Sequence, residues 1–548
     1  MQDWIIYDKK EIKDRQLFLQ FHGETDSLTA NGKLRIIALF TYADQKRYFP
    51  MDAVCHGRDG HMAFEVERTI TLSDVFFEFQ KQEEEQVSFI LIYCDANGKW
   101  QTLSKEEFFL ADLFVKKQKK TGFWKRNFKK LQYVCYTLLL PIWIIDGFLA
   151  VKGIKKSRYI DEEIKGKKGI FYHAHGLVKA HTGYGYSIRE IKTSYFKKCY
   201  EKQCRKVKKT QGILFLSERS LEKGGNLDRV RKAIEQTSVR SFIDTRPIRK
   251  LPFDAIKRAA FLAAEAKVIV LEDFYPQLHV LTIRKDTKVV QLWHACGAFK
   301  MFGLSEVDKI PHLTQDTRNH RNYSLVPVSS RQMVPFYSEA FGITPQKVYP
   351  VGVPRTDVFF DQAYQQKVTE ELYEKYPALQ NKKVILFAPT FRGSGKTRAF
   401  YPKDRFVIDR LMESLTSDTV LLVKQHPFVR QQLECSEKYR SRVFDFTGKE
   451  NINDLLFITS LLITDYSSSI FEAALLKIPM LFYVFDLKEY EKQRDIYFDF
   501  STFVPGKQVQ TMDELADQAQ WILEQKEKDD HTDQKLQAFC SYFLGALD

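Results

Sequence analysis

What this chain lacks removes whole classes of function. Its eight cysteines are Cys55, Cys94, Cys135, Cys199, Cys204, Cys296, Cys435 and Cys540. They are scattered, no two stand at CxxC spacing, and no histidine cluster completes a zinc-ligand set. Reduced thiols in a cytosolic setting are the expectation. Gly393-Ser-Gly395-Lys396 sets its glycines too close together for GxxxxGK[ST], so it is not a P-loop. There is no internal repeat and no low-complexity tract, and the N-terminus has no signal-peptide layout. No clustered carboxylates call for a metal, although Asp465 leaves one open, and no cofactor is expected. No apolar run reaches the roughly 20 residues that a spanning helix needs.

What is present is an aromatic-rich globular composition, 14% Phe, Tyr and Trp, with a net charge of +14. Such charge points to an anionic partner: a membrane surface, a nucleic acid or a phosphorylated substrate. The length allows several domains. Residues 1–112 read as a β-rich accessory domain, with strand candidates at 34–40, 62–66 and 87–93 and a hairpin signal at Asn97-Gly98. Residues 113–160 then change character. Lys116, Lys117, Lys119, Lys120, Lys125, Arg126, Lys129 and Lys130 surround Phe123, Trp124 and Phe128. The apolar run 133–145 that follows is broken by Pro141, stopped by Asp146 and closed by further basic residues. Basic flanks at both ends suit a segment lying on an anionic leaflet better than one crossing it. A buried core helix and a true span are the other readings. The adjoining apolar stretch favours lipid over nucleic acid, which is not expected as a partner.

From about 167 the pattern alternates strand and helix, the rhythm of a doubly wound sheet. Strands are expected at 169–173, 212–216, 239–243, 268–271, 288–293 and 324–328. Helices fill 188–208, 226–236 and 253–266. A second such run, 346–548, has strands at 348–351, 383–387, 419–423, 443–446 and 461–463. The fold class is α/β, with two nucleotide-binding-type units at 161–345 and 346–548.

Candidate chemistry gathers just past strand ends, where parallel sheets bind ligands. The central stretch is Leu461-Leu-Ile-Thr-Asp-Tyr-Ser-Ser-Ser-Ile-Phe-Glu472. It reads as a buried strand running into a serine-tipped helix, whose first amides have no intrahelical partner and favour an anion. An ordinary serine cap is the plainer reading. Glu472 stands one turn after Ser468, suited to ribose hydroxyls. His294 follows a strand in Gln291-Leu-Trp-His-Ala-Cys-Gly-Ala-Phe-Lys300 and suits a general base, with Lys300 a phosphate contact. A packed histidine is the alternative. Arg355 suits bidentate phosphate contact, or a surface pair with Asp357. Thr390 and Arg392 follow one strand, Lys424 and His426 another.

Taken in order, these elements resemble the CDP-glycerol:poly(glycerophosphate) glycerophosphotransferase family of teichoic acid primases and polymerases. The family's W-H-G-T-P-x-K is similar to Trp293-His-Ala-Cys-Gly-Ala-Phe-Lys300, and its P-R-N-D to Pro354-Arg-Thr-Asp357. A-P-T-[FW]-R is present as Ala388-Pro-Thr-Phe-Arg392, and R-M-H resembles Lys424-Gln-His426. T-D-Y-S-S-x-x-x-D is similar to the stretch 464–472, and Pro479-Met-Leu-Phe-Tyr483 follows it. Departures are Ala295-Cys296 in place of Gly-Thr, a lysine one position later, Lys424 for Arg, and Glu472 for Asp.

The resemblance implies a GT-B fold, two Rossmann-like domains facing a cleft. It implies transfer of glycerol or ribitol phosphate from a CDP-polyol donor to a lipid-linked teichoic acid acceptor, with release of CMP, by a peripheral enzyme at the cytoplasmic membrane face. His294 and His426 become catalytic candidates. Ala295, Cys296, Gly297, Ala298, Lys300, Arg355, Pro389, Thr390, Arg392, Lys424, Ser467, Ser468 and Glu472 become donor-binding candidates. A nucleotide-sugar glycosyltransferase on the same fold and a non-catalytic membrane scaffold are the alternatives.

Overall fold

The computed structural model describes residues 4–13, 16–25, 35–42, 45–58, 61–71, 88–94, 100–103, 108–109, 188–234, 238–306, 319–393, 398–493, 496–498, 500–525 and 531–545. The basic and apolar segment expected at 113–160, the strand expected at 169–173 and the Asn97-Gly98 turn lie outside the described residues. The chain packs as two compact units. One comprises residues 1–112, 294–317 and 326–548; the other comprises 113–293 and 318–325.

In the first unit the N-terminal region forms two antiparallel sheets. One orders Trp4–Lys13, Gln16–Thr25, His61–Thr71 and Val54–Arg58 as neighbours. The other orders Gln45–Asp52, Arg35–Tyr42, Ser88–Cys94 and Trp100–Thr102, with Phe108–Phe109 also on Ser88–Cys94. In Gln16–Thr25 the residues Leu17, Leu19 and Phe21 are buried while Gln20 is exposed, the period-2 alternation of a half-buried strand. The strand Trp4–Lys13 escapes the sequence reading because Lys9, Lys10, Glu11 and Lys13 obscure that alternation.

The second unit holds a parallel sheet. Its strands lie in the order Val239–Ile243, Ile213–Ser217, Val268–Leu271, Lys288–Gln291. Helix Phe253–Glu265 buries Ile256, Ala259, Ala260, Ala263 and Ala264. That is a stripe at helical spacing, and its small side chains let helix Ile188–Cys204 approach. The helices end earlier than expected, at Cys204, Ala233 and Glu265.

The C-terminal sheet of the first unit positions the candidate site. Its strands are β1 (Lys383–Phe387), β2 (Thr419–Val423), β3 (Val443–Asp445), β4 (Leu461–Thr464), β5 (Met480–Tyr483) and β6 (Lys507–Val509). All six are parallel, in the order β3-β2-β1-β4-β5-β6. This is the doubly wound Rossmann order, in which the direction of winding reverses between β1 and β4. The four central strands, β2, β1, β4 and β5, are nearly continuous apolar runs because helices cover both faces. Ile385, Leu421, Leu461 and Leu481 are fully buried in one core with Leu411, Leu515 and Ala519 from the covering helices. Among the described residues no helix is long and apolar enough to cross a membrane.

Candidate functional site

The switch between β1 and β4 brings two chain segments side by side at the carboxyl ends of their strands. Ala388-Pro389-Thr390 leaves β1, and Asp465-Tyr466-Ser467 leaves β4. Asp465 ties them together. Its Oδ1 accepts from the Thr390 amide at 2.7 Å and from the Tyr466 amide at 2.6 Å. Its Oδ2 accepts from Arg392 Nη1 at 2.8 Å. Arg392 also donates twice to Asp486, at 2.6 and 2.8 Å, and to the Thr390 carbonyl at 2.6 Å. The rings of Tyr401, Tyr466, Phe485 and Tyr490 surround its guanidinium. Burial pulls the Arg392 pKa down, but Asp465 and Asp486 outweigh it and hold the group above its ordinary value. The guanidinium is thus a permanently charged strut with its hydrogen-bonding capacity turned inward. Asp486 and Tyr490 carry no motif signal of their own, and only the fold reveals them.

Past β4 the chain enters helix Ile470–Leu475, six residues long. Ser469 sits at its N-cap with helical dihedrals and no side-chain cap. Ser467 Oγ lies 2.9 Å from Ser469 Oγ and accepts from the Ser469 amide at 3.3 Å. Ser468 is exposed, whereas Ser469 is buried. So short a helix has a weak dipole, so anion affinity here rests on individual amides and hydroxyls.

The loop bearing His294 packs directly on this helix. At Trp293, in the second unit, the backbone takes a left-handed turn with φ +58, and the chain passes into the first unit at His294. Arg355 Nη1 donates to the His294 carbonyl at 2.7 Å, and its Nη2 lies 3.5 Å from Glu472 Oε1. The Cys296 thiol donates to the same Glu472 oxygen at 3.3 Å. Burial and the neighbouring carboxylate push that thiol well above its ordinary pKa, so it stays a neutral donor. Gly297 has a steric reason: a Cβ there would stand 2.6 Å from the Phe471 ring. Tyr337 Oη donates to the carbonyls of Ala295 and Gly297 at 3.1 and 3.3 Å, and the Ala298 amide donates to Met333 Sδ at 3.2 Å. Lys300 forms a bridge with Ile496 and places Nζ 5.6 Å from the Tyr490 ring centre.

Lys424 and His426 follow β2. Lys424 Nζ donates to the carbonyls of Phe446 and Glu450, and burial lowers its pKa. His426 Nδ1 accepts from the Phe428 amide at 3.1 Å, and its ring packs against Phe391 and Phe428. An accepting Nδ1 leaves the proton of the neutral ring on Nε2, which then presents a donor.

All fifteen candidate positions, from His294 to Glu472, therefore fall in the first unit. Nine of them fall into two groups. His294, Ala295, Cys296, Gly297, Arg355 and Glu472 are linked around the serine-tipped helix, while Pro389, Thr390 and Arg392 stand at the switch between β1 and β4. Lys424 and His426 lie at the tip of the neighbouring strand. Among the described residues no group of His, Cys, Asp or Glu is arranged to hold a metal ion.

The family model for CDP-glycerol:poly(glycerophosphate) glycerophosphotransferases matches residues 225–546. The chain belongs to this family. It is 39% identical over 365 residues to the teichoic acid poly(ribitol-phosphate) polymerase of Bacillus spizizenii strain W23, covering 66% of this chain and 58% of that protein. It is 41% identical over 318 residues to the teichoic acid ribitol-phosphate polymerase TarK of Staphylococcus aureus, covering 57% and 62%. The match thus spans about three-fifths of each relative's length. The solved structure of the wall teichoic acid polymerase TagF superposes with a TM-score of 0.52 at 20% identity, covering 65% of this chain and 89% of that one. That likeness shows a shared mixed α/β fold with parallel sheets. A TagF variant has also been soaked with CDPG.

Proposed function

We propose that this family member transfers a polyol phosphate from a CDP-activated donor to a lipid-linked teichoic acid acceptor and releases CMP. One observation carries the reading. The His294 loop is locked onto the helix that follows Ser467 and Ser468, through Gly297 against Phe471 and Cys296 and Arg355 against Glu472. A base candidate and an anion-binding candidate therefore share one rigid frame. In the proposed reaction an acceptor hydroxyl attacks the β-phosphorus of the donor, His294 takes its proton, and the bond to CMP breaks. The Nε2–H of His426, the hydroxyls of Ser467 and Ser468 and the amides beside them stabilise the diphosphate charge. Preorganised donors of this kind supply most of the catalysis in phosphoryl transfer. Pro389 and Thr390 line the nucleotide side, and Lys300 faces the phosphates.

The partners of Arg392, Lys424 and Glu472 support indirect roles for these residues. Arg392 holds the two switch segments, Lys424 the segment 446–450, and Glu472 the Arg355 side chain. Ribitol is the favoured polyol. The ribitol-phosphate relatives share 39–41% identity with this chain, whereas the glycerol-phosphate primases share 32%. We also propose the GT-B arrangement of two Rossmann-like domains, on the strength of the β3-β2-β1-β4-β5-β6 order. The division at 112, 160 and 345, and peripheral attachment to an anionic cytoplasmic leaflet through 113–160, complete the proposal. The test is CMP release by the purified chain offered CDP-ribitol or CDP-glycerol with a lipid-linked acceptor. Release from CDP-ribitol at a rate at least severalfold above CDP-glycerol is expected; release from neither defeats the reading.

A further inference from the structure

The second unit has its own switch point, with chemistry unlike the first. Ile213–Ser217 and Val268–Leu271 are adjacent parallel strands. From Ile213–Ser217 the chain winds to one side, and from Val268–Leu271 to the other. Such crevices, outside the carboxyl ends of the strands, are where doubly wound sheets bind ligands. The residues at these tips are Ser217-Glu218 and Glu272-Asp273. Ser217 Oγ donates to Glu272 Oε1 at 2.9 Å. Burial pushes both Glu218 and Glu272 above the usual carboxylate range. Gln277, on the next short helix, donates weakly to Glu218 at 3.4 Å. Gln277 is 2% exposed, and its Oε1 is buried with no hydrogen-bond partner. Burying an amide oxygen without a donor is costly, so it marks a place where a ligand hydroxyl or a water belongs. Asp244 acts electrostatically on Glu218 and also lines an adjacent cavity of about 460 Å³ with Phe242, Arg246 and Arg258.

The charge pattern selects the ligand. Two arginines close by are paired, Arg219 with Asp273 at 2.5 Å and Arg246 with Asp244 at 2.7 Å, while Arg189 offsets part of the charge on Glu218. A phosphate placed among Glu218, Glu272 and Asp273 meets acidic groups. The carboxyl oxygens of Glu218 and Glu272 and the Gln277 amide oxygen accept, and the Ser217 hydroxyl can donate or accept, which is the pattern a row of hydroxyls matches. We propose that the crevice formed by Ser217, Glu218, Glu272 and Gln277 binds the hydroxyl groups of an uncharged polyol. Resting on the transfer reading above, it receives the polyol end of the acceptor.

The test is saturation-transfer NMR of the full chain with ribitol, with inorganic phosphate as competitor, alongside transfer kinetics. Ribitol should give a signal in the wild type that inorganic phosphate does not displace. Gln277→Leu and Glu218→Leu should abolish it. Glu218→Gln, whose amide oxygen still accepts, should keep affinity within about threefold, while loss of a hydrogen bond costs about tenfold. Acceptor KM should rise about tenfold in Gln277→Leu with donor KM unchanged. A ribitol signal equal in wild type, Gln277→Leu and Glu218→Leu, or displaced by phosphate, overturns the inference. Should the wild type release no CMP from any CDP-polyol, the transfer reading fails, and the ribitol experiment still decides the crevice.

Discussion

At the scale of the residue, three positions carry distinct physical burdens. His294 is the proposed base, so His294→Ala should lower kcat by about 10²–10⁴ and leave donor KM within about twofold. Steady-state kinetics with varied donor check this, and equal loss of donor binding would remove His294 from that role. Arg392 is a strut. Replacing it with Ala leaves the buried Asp465 and the partly buried Asp486 without their cation, which costs about 3–5 kcal/mol; denaturant unfolding should show it. Gly297→Ala forces a Cβ toward Phe471 and should cost about 1–3 kcal/mol by overpacking. Phe471→Leu in the same chain should restore part of that loss, a coupling that a double-mutant cycle measures. The motif residues were legible in the sequence because each stands beside a strand end in a recognisable string. Their partners were not. Nothing near Arg355 in sequence says that it reaches Glu472, 117 positions away by numbering, rather than the adjacent Asp357.

At the scale of the element, the apolar strands were read almost to the residue. β1 and β2 match the expected bounds because buried parallel strands are uninterrupted apolar runs with polar ends. Helix Ile470–Leu475 proved shorter than the serine run suggested. Ser467 and Ser469 bond each other, which holds the segment in a turn before the helix begins. Anion binding there depends on discrete donors. Ser467→Ala and Ser468→Ala should each raise donor KM by about ten- to a hundredfold, the worth of one hydrogen bond to a charged group, with kcat reduced less. A donor titration of each variant checks the split, and unchanged KM in both would take the serines out of the site.

At the scale of the whole molecule, pH acts through a buried pair in the second unit. Burial holds His279 well below its ordinary pKa, with His320 adding to the effect, and burial holds His320 down to about 3. Both ring nitrogens of His279 are buried without a partner, and its ring stacks on Phe274 at 4.9 Å. These are bases with depressed folded-state values, so the unfolded chain takes up their protons first. Their neutral forms suit the fold above about pH 6.5, and stability falls as pH drops from there toward 3, by about 1.4 kcal/mol per pH unit for each histidine. His279→Phe preserves the stack and removes the two orphan nitrogens. It should stabilise the chain by about 1–2 kcal/mol and flatten the acid slope of the thermal midpoint measured between pH 8 and 5. An unchanged slope would count against the assignment.

By itself the sequence determined the local layer of this protein: the alternation of buried strands and helices, the strand tips that bear polar groups, and the string of motifs that places the chain in its family. These depend on spacing along the chain, and spacing is written in the order of residues. Only the tertiary structure decided which tips meet. Winding reverses between β1 and β4, bringing Thr390 to Asp465, and the left-handed turn at Trp293 hands His294 to the unit that holds the serines. It also exposed the acidic crevice around Gln277. Contacts of that kind join residues tens to hundreds of positions apart, and they follow from how sheets wind and cores fill, which no single stretch of chain encodes.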